Sequence, residues 1–410
     1  MSADGGSGAA RTSAAADTAD VVVVGAGIVG LGAAYAAVRR GLRVIVVDRT
    51  ESPVGATIRN FGHLCIGAQE GEARRYADAS RELWLRLSRD AGFWLRESGT
   101  LVAARSDDEL AVLEAAAASV STAGASASTP DSSSTVSAGN GIRMLDRAEL
   151  LRRAPLRAEA IVGGAYIETD LQTDPRAAAA AIVRHLADRG VDFRFRTAVT
   201  TLEAGRVHTT RGSISAGHIV VAVNHDLDQL LPETAERHGI VRCALDMVRA
   251  AVSLPHPLSA PLLTGWSLIR YGRFAQSPEA ARLRERLHAE RPDLAALDLN
   301  QMYTQLPDGT LILGDSHTSA VQPTPFQPEA AFTAFLDEAV GLFDMPTPRV
   351  LERWQGVYAK GPNDFLIERT DEGVLVLAAT TGIGMTTGLG LAEENLTAAF
   401  GWAPAMEGTP

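Results

Sequence analysis

The run from Val21 to Asp48 constrains this chain more than any other stretch. Four valines, Val21–Val24, lead into Gly25-x-Gly27-x-x-Gly30, and an alanine-rich stretch follows. Gly41 and a second apolar run then end at Asp48. Strand, glycine turn, helix, strand and acid, in that order, make a dinucleotide-binding βαβ unit. Gly25 allows the tight turn, Gly27 lets the backbone approach a pyrophosphate, and Gly30 lets helix and strand pack closely. The helix N-terminus faces the phosphates, and Asp48 is placed to accept from the ribose hydroxyls.

A second glycine turn near the other end selects the dinucleotide. Gly373–Ala379 reads as a strand, Thr380-Thr-Gly-Ile-Gly-Met-Thr-Thr-Gly388 as a turn, and Leu391–Phe400 as a helix. A nicotinamide needs no such unit. A flavin does, because its ring and ribityl chain need close backbone approach and amide donors. Gly382, Gly384 and the amides of Thr386–Gly388 supply them, so FAD is expected rather than NAD.

The composition excludes several function classes. A net charge of −11 argues against nucleic acid and against an anionic membrane as partners. Val21–Val38 is uncharged and as long as a membrane span, but its glycines fall on the nucleotide-turn spacing. Two cysteines far apart in sequence, Cys65 and Cys243, suggest a reducing compartment, and a cytoplasmic location is expected. The nine histidines show no metal-ligand spacing, so no metal is expected. Residues 1–17 read as a disordered tail without a signal core.

At 410 residues the chain is long enough for two domains. Both glycine turns must meet on one cofactor, so the nucleotide domain is discontinuous. The expected fold class is α/β: a Rossmann-like FAD-binding domain of the glutathione-reductase type, with an inserted mixed-sheet substrate domain covered by helices. The boundaries expected are 18–88, 161–240 and 350–402 for the first domain, and 89–160 and 241–349 for the second. Residues 114–141, an Ala/Ser/Thr tract, read as a flexible insertion. Helices are expected over Arg74–Leu95, Asp174–Arg189, Pro278–Glu290 and Glu329–Phe343. Strands are expected over Phe193–Leu202, Gly217–Asn224, Cys243–Leu254, Val350–Tyr358 and Phe365–Glu368. A cleft between the domains is the expected active site.

With both glycine turns, this layout, and Gly55-Ala-Thr-Ile-Arg-Asn-Phe-Gly62 after the acid, the chain resembles the D-amino-acid oxidase, glycine oxidase and sarcosine oxidase family of flavoproteins. A narrower resemblance rests on Arg59-Asn-Phe-Gly62, Ser80–Trp84, Ala91–Trp94, Gly314-Asp-Ser-His317, Arg353–Lys360 and Gly384-Met-Thr386. It is to a bacterial branch associated with phosphonate breakdown. That implies oxidation of an aminoalkylphosphonate such as 2-aminoethylphosphonate or its N-methyl derivative. The chain departs from the branch at His63-Leu-Cys-Ile-Gly67 and at Ile269-Arg270-Tyr271, both at places expected to touch substrate. The family resemblance extends the cofactor-binding set. It adds Ile28 and Arg49, then Thr57, Asn60 and Gly62 in the loop. Val199 and Ala222 join from later strands, and Met385 and Thr386 from the second turn. Covalent members attach flavin through Cys or His. The corresponding loop position is Arg59 here, so non-covalent FAD is implied. The lysine that assists oxygen in sarcosine oxidases falls near Ile312, which leaves oxygen or another electron acceptor as partner.

Amine oxidation by a flavin moves a hydride from the α-carbon to N5, and the amine must be neutral. Positioning and electrostatics dominate such catalysis. An anionic amine on an acidic protein needs a local cationic pocket, for which Arg59, Arg270, His317 and Lys360 are candidates, with Tyr271 and Tyr358 beside them. Lys360 is the only lysine among 38 basic residues, which marks it as a candidate active-site ammonium. Each candidate also has a plainer reading: pyrophosphate contact for Arg59, surface for Arg270 and Lys360, loop packing for His317, core for the tyrosines. His63 and Cys65 read as packing residues near the ring. The alternatives are an oxidase or dehydrogenase of an ordinary amino acid (glycine, sarcosine or a D-amino acid), and a non-catalytic binding protein on the same fold.

Overall fold

The structure, a computed structural model, describes residues 17–119 and 141–403. Runs of β-branched residues form the centre of the nucleotide half. Asp17–Val24 lies parallel to Gly212–Val221 on one side and Val44–Val47 on the other, with Val22 opposite Ile219 and Ile45. Asp192–Arg194 extends this parallel sheet at one edge and Leu375–Thr381 at the other. Val21, Val22, Val23, Val46 and Val220 are wholly buried, as strands covered on both faces must be. The strands come from the beginning, middle and end of the chain.

Leu375–Thr381 pairs antiparallel with Arg349–Arg369, which pairs in turn with Val241–Ala251. The sheet runs on through Leu311–Ala320, Met302–Gln305, Leu262–Leu263, Thr100–Ala104 and Gly163–Ile167 to Ile142–Asp146, making 15 strands in all. It is α/β as expected. A separate sheet of His63–Leu64, Leu171–Thr173 and Leu95–Arg96 holds the loop after the first βαβ unit. Helices Ile28–Val38, Gly71–Ala91 and Gly384–Phe400 cover the nucleotide sheet through small residues. A Cβ on Gly390 would lie 2.2 Å from Tyr76 O, and one on Gly32 would lie 3.2 Å from Leu389.

Three local expectations change. The Phe193–Leu202 strand is two, Asp192–Arg194 and Val199–Glu203, because Arg196 adopts φ +52° between them. Val350–Tyr358 and Phe365–Glu368 belong to one strand, Arg349–Arg369, whose pairing slips between Lys360 and Phe365 around Pro362. Proline lacks an N–H and breaks the ladder there without ending the strand. Glu114–Ala118 completes helix Asp107–Ala118, with Val112, Leu113 and Ala116 buried, so the expected insertion begins later than Glu114. The rest of it, residues 120–140, and the tail residues 1–16 lie outside the described residues.

Candidate active site

The two glycine turns open onto one cavity of about 870 Å³. Helices Ile28–Val38 and Gly384–Phe400 both start at its wall. Neither has a side-chain cap from its N-cap residue or an acid in its first turn. Their positive ends therefore face the cavity. Gly25, at φ +106°, passes so close to the neighbouring strand that a Cβ would sit 2.5 Å from Ala222 O. A Cβ on Gly30 would sit 1.9 Å from Gly25 O. Only glycine closes this turn, which leaves the backbone open to close approach by a pyrophosphate.

Asp48 braces the same turn. One carboxylate oxygen accepts from Ala26 N at 2.7 Å, and the other from Thr50 N at 2.8 Å and Thr50 Oγ1 at 2.6 Å. Each carboxylate oxygen can accept twice, so Oδ2 retains capacity for a ribose hydroxyl. Thr57, 6% exposed, accepts from Ile28 N at 2.8 Å and ties the following loop to the helix start. Asn60 spends its amide within that loop, donating to Ala56 O and Thr57 O and accepting from Gly62 N. At the far end, Cys65 N donates to Thr386 Oγ1 at 3.0 Å, and Trp84 Nε1 to Met385 O at 3.0 Å. Tyr358 lies against Gly382, where a Cβ would meet its hydroxyl at 3.1 Å.

The opposite wall carries a polar cluster. Leu311–Ala320 bulges where it pairs with Val241–Ala251. Ser316 faces Asp246 and Gly314 faces Met247, which leaves Asp315 as the extra residue. A bulge re-aims a side chain, and Asp315 and His317 both line the cavity. Asp315 accepts from Asn300 Nδ2 at 3.0 Å and lies 3.5 Å from His317 Nε2. Burial pushes the Asp315 carboxyl up and the His317 imidazole down. Arg270 donates to Asp298 Oδ1 at 2.5 Å and to Asp298 O at 3.1 Å, so its charge already has a partner. Burial also raises the Tyr271 and Tyr358 hydroxyls, keeping both neutral.

Arg59 differs from Arg270. It lines the cavity, is exposed, and donates to a carbonyl, Gln355 O, at 3.1 Å. Among the described residues it has no ion pair, so its charge is available to an anion. Lys360 does not line the cavity; Nζ donates to Ser319 Oγ at 3.0 Å. Arg49 pairs with Asp226 at 2.5 Å, Val199 pairs with Thr209 at the start of its strand, and Gly62 packs on Thr173; these three do not line the cavity, and Gly25, Gly30 and Asp48 lie behind its wall as parts of the turn. Ile312 is buried in its strand, away from this cavity. The structure thus brings together Gly27, Ile28, Thr57, Arg59, Asn60, Ala222, Arg270, Tyr271, His317, Tyr358, Gly382, Gly384, Met385 and Thr386.

Sequence reasoning missed Asp315, Asn300 and Asp298. Asp315 stood in the quoted Gly314-Asp-Ser-His317 motif, but only the bulge directs it inward. His63 also lines the cavity. Thr100 Oγ1 donates to Asp170 Oδ2 at 2.6 Å, so it must accept from His63 Nε2–H, also at 2.6 Å. His63, Cys65 and Asp170 bring one donor atom each within 4.8 Å, although Asp170 is already engaged by Thr100 and by Gly67 N.

The fold and the cavity between two helix N-termini define a dinucleotide-binding protein. The model of the FAD dependent oxidoreductase (DAO) family matches residues 20–397, and the chain belongs to that family. FAD is its cofactor, and the glycine cradle, the two helix N-termini at the cavity wall and the acid at Asp48 fit it. One of the subunits of the opine oxidase of Rhizobium meliloti is 27% identical over 234 residues, covering 52% of this chain and 58% of that protein. The chain therefore aligns with little more than half of this relative's length. Glycine oxidase from Geobacillus kaustophilus superposes with a TM-score of 0.69 at 18% identity, covering 93% of this chain and 95% of that one. L-α-glycerophosphate oxidase from Mycoplasma pneumoniae, solved with FAD bound, gives 0.70 at 18% identity over 96% of this chain and 99% of that one. The protein is an FAD-dependent oxidoreductase. No helix among the described residues is long and apolar enough to cross a membrane.

Proposed function

We propose that the protein oxidises the C–N bond of a small anionic amine, and that the amine is an aminoalkylphosphonate such as 2-aminoethylphosphonate or its N-methyl derivative. The observation that carries the reading is the charge layout of the cavity. Arg59 offers an unpaired guanidinium on one wall, and Asp315 with His317 offers an acidic pair on another. A molecule with an anion at one end and an ammonium at the other suits both. When bound, FAD supplies the hydride acceptor. Arg59 would bind the anion through paired N–H donors. Tyr271 and Tyr358, buried and neutral, would orient the substrate and exclude water. The amides opening Gly384–Phe400 would stabilise negative charge at the cofactor's far end. The phosphonate rests on the resemblance around Arg59-Asn-Phe-Gly62 and Gly314–His317. We take 18–88, 161–240 and 350–402 as the FAD-binding unit, 89–160 and 241–349 as the substrate unit, and the FAD as non-covalent.

A second reading, oxidation of an ordinary amino acid, is favoured by the match to opine oxidase and the likeness to glycine oxidase. Arg59 would then hold a carboxylate. Anaerobic flavin bleaching separates the two. The FAD-loaded protein is mixed with 2-aminoethylphosphonate, its N-methyl derivative, glycine, sarcosine and D-alanine. Faster bleaching by the phosphonates is expected. Faster bleaching by the amino acids replaces the phosphonate assignment with the second reading.

A further inference from the structure

We infer that Asp315 and His317 form a one-proton acceptor that removes the proton from the substrate's ammonium group. The inference deepens the amine-oxidising reading and rests on it. His317 Nδ1 lies 3.0 Å from Asp298 O, a carbonyl that can only accept. Nδ1 therefore carries a hydrogen, and in the neutral ring Nε2 carries a lone pair. Nε2 lies 3.5 Å from Asp315 Oδ2. Two acceptors this close repel, and a proton on either one relieves the repulsion, so the pair has a use for one proton. Asn300 Nδ2 holds the other carboxylate oxygen, and reciprocal backbone bonds between Asn300 and Asp315 fix the bulge. The pair is buried yet forms part of the cavity wall, with side chains 5% and 6% exposed.

The surrounding charges leave the pair as the deciding group. Arg270 comes from the Gly265–Ala275 segment and pairs with Asp298, from the loop before Met302–Gln305, while its charge also acts on Asp315 and His317 and favours the pair without its proton. Tyr271 from that same segment and Tyr358 from Arg349–Arg369 stay neutral through burial. Cys65, from the loop before Gly71–Ala91, is likewise held as the thiol by burial. Asp246, on the neighbouring strand, is engaged by Ser316, Gln327 and Gln355. With no proton on the pair, Asp315 is the unmatched charge, and an ammonium entering the cavity neutralises it. The substrate N–H bond breaks and its electron pair stays on nitrogen. A new bond forms from the proton to Asp315 Oδ2 or to His317 Nε2. The products are a neutral amine and a neutral pair, and proton and charge balance. At low pH the pair already holds its proton, so it cannot take another and flavin reduction falls.

Two measurements on the FAD-loaded protein test this. The first needs no substrate. An infrared difference spectrum between acid and alkaline pH should contain the C=O stretch of a protonated carboxylic acid that disappears in Asp315→Asn and shifts in His317→Gln. An unchanged spectrum in Asp315→Asn overturns the pair. The second is stopped-flow flavin reduction by 2-aminoethylphosphonate across pH. Asp315→Asn, still yellow, should be slower by about 10²–10⁴-fold at neutral pH. It should then gain about tenfold per pH unit as the free amine itself loses its proton. A uniform loss at every pH overturns the role in proton removal. If 2-aminoethylphosphonate fails to bleach the wild type, the phosphonate assignment falls, and the infrared result alone decides on the pair.

Discussion

At the residue scale, Asp48 braces the glycine turn through Ala26 N and Thr50, and we propose that its remaining acceptor capacity takes a ribose hydroxyl. Asp48→Ala is expected to weaken FAD binding ten- to hundred-fold, the loss of about 1.5–3 kcal/mol carried by a charge-assisted bond. Reconstitution of the apoprotein, followed by flavin fluorescence, measures it. Unchanged affinity would show that the ribose is held elsewhere. Most of this cofactor cradle was legible because glycine spacing and a terminal acid encode backbone geometry directly. The substrate wall was far less legible. Four cationic residues looked alike in sequence, and the structure separates them by their partners. Arg270 is matched by Asp298, His317 is pushed towards neutrality by burial, Lys360 sits on Ser319, and Arg59 remains. The rarity of lysine made Lys360 conspicuous without locating it. Lys360→Met is expected to reduce flavin within about twofold of the wild-type rate. Arg59→Met should weaken binding of anionic amines by about ten- to hundred-fold through the loss of a charged contact. Apparent dissociation constants from the reductive half-reaction distinguish the two, and a reversed order would restore Lys360 to the site.

At the element scale, period and glycine placement located the helices and the central strands, but not how strands break or join. The left-handed turn at Arg196 has no glycine to announce it, and Pro362 interrupts pairing inside a strand that continues. The bulge at Asp315 depends on the register with Val241–Ala251, a pairing far apart in sequence. Helix contacts make a sharper test. A methyl on Gly390 would meet Tyr76 O at 2.2 Å and Ser80 N at 3.0 Å, whereas one on Gly341 has nothing within 4 Å. Gly390→Ala is therefore expected to destabilise the protein by about 1–3 kcal/mol and to disturb the helix that faces the cofactor. Gly341→Ala, in helix Glu329–Leu342, should stabilise it by roughly 0.5–1 kcal/mol. Denaturant midpoints of the two variants give the comparison, and a tolerated Gly390→Ala would mean that these helices pack less closely than their contacts imply.

At the scale of the whole molecule, both ends of the chain and its middle converge on one cavity, so the cofactor ties distant segments together. FAD at a hundred times its dissociation constant should stabilise the fold by about 2.7 kcal/mol, seen as a higher melting temperature for the loaded protein than for the apoprotein. The central claim is that this cavity carries a small amine to a bound flavin and breaks its C–H bond by hydride transfer. The most direct measurement is anaerobic product stoichiometry. The FAD-loaded protein is mixed with excess 2-aminoethylphosphonate, its N-methyl derivative, glycine, sarcosine or D-alanine. Reduced flavin and released carbonyl compound are then counted together. The account predicts one carbonyl product for each flavin reduced with at least one of these amines. Flavin that stays oxidised with all of them, or is reduced without a carbonyl product, would contradict it.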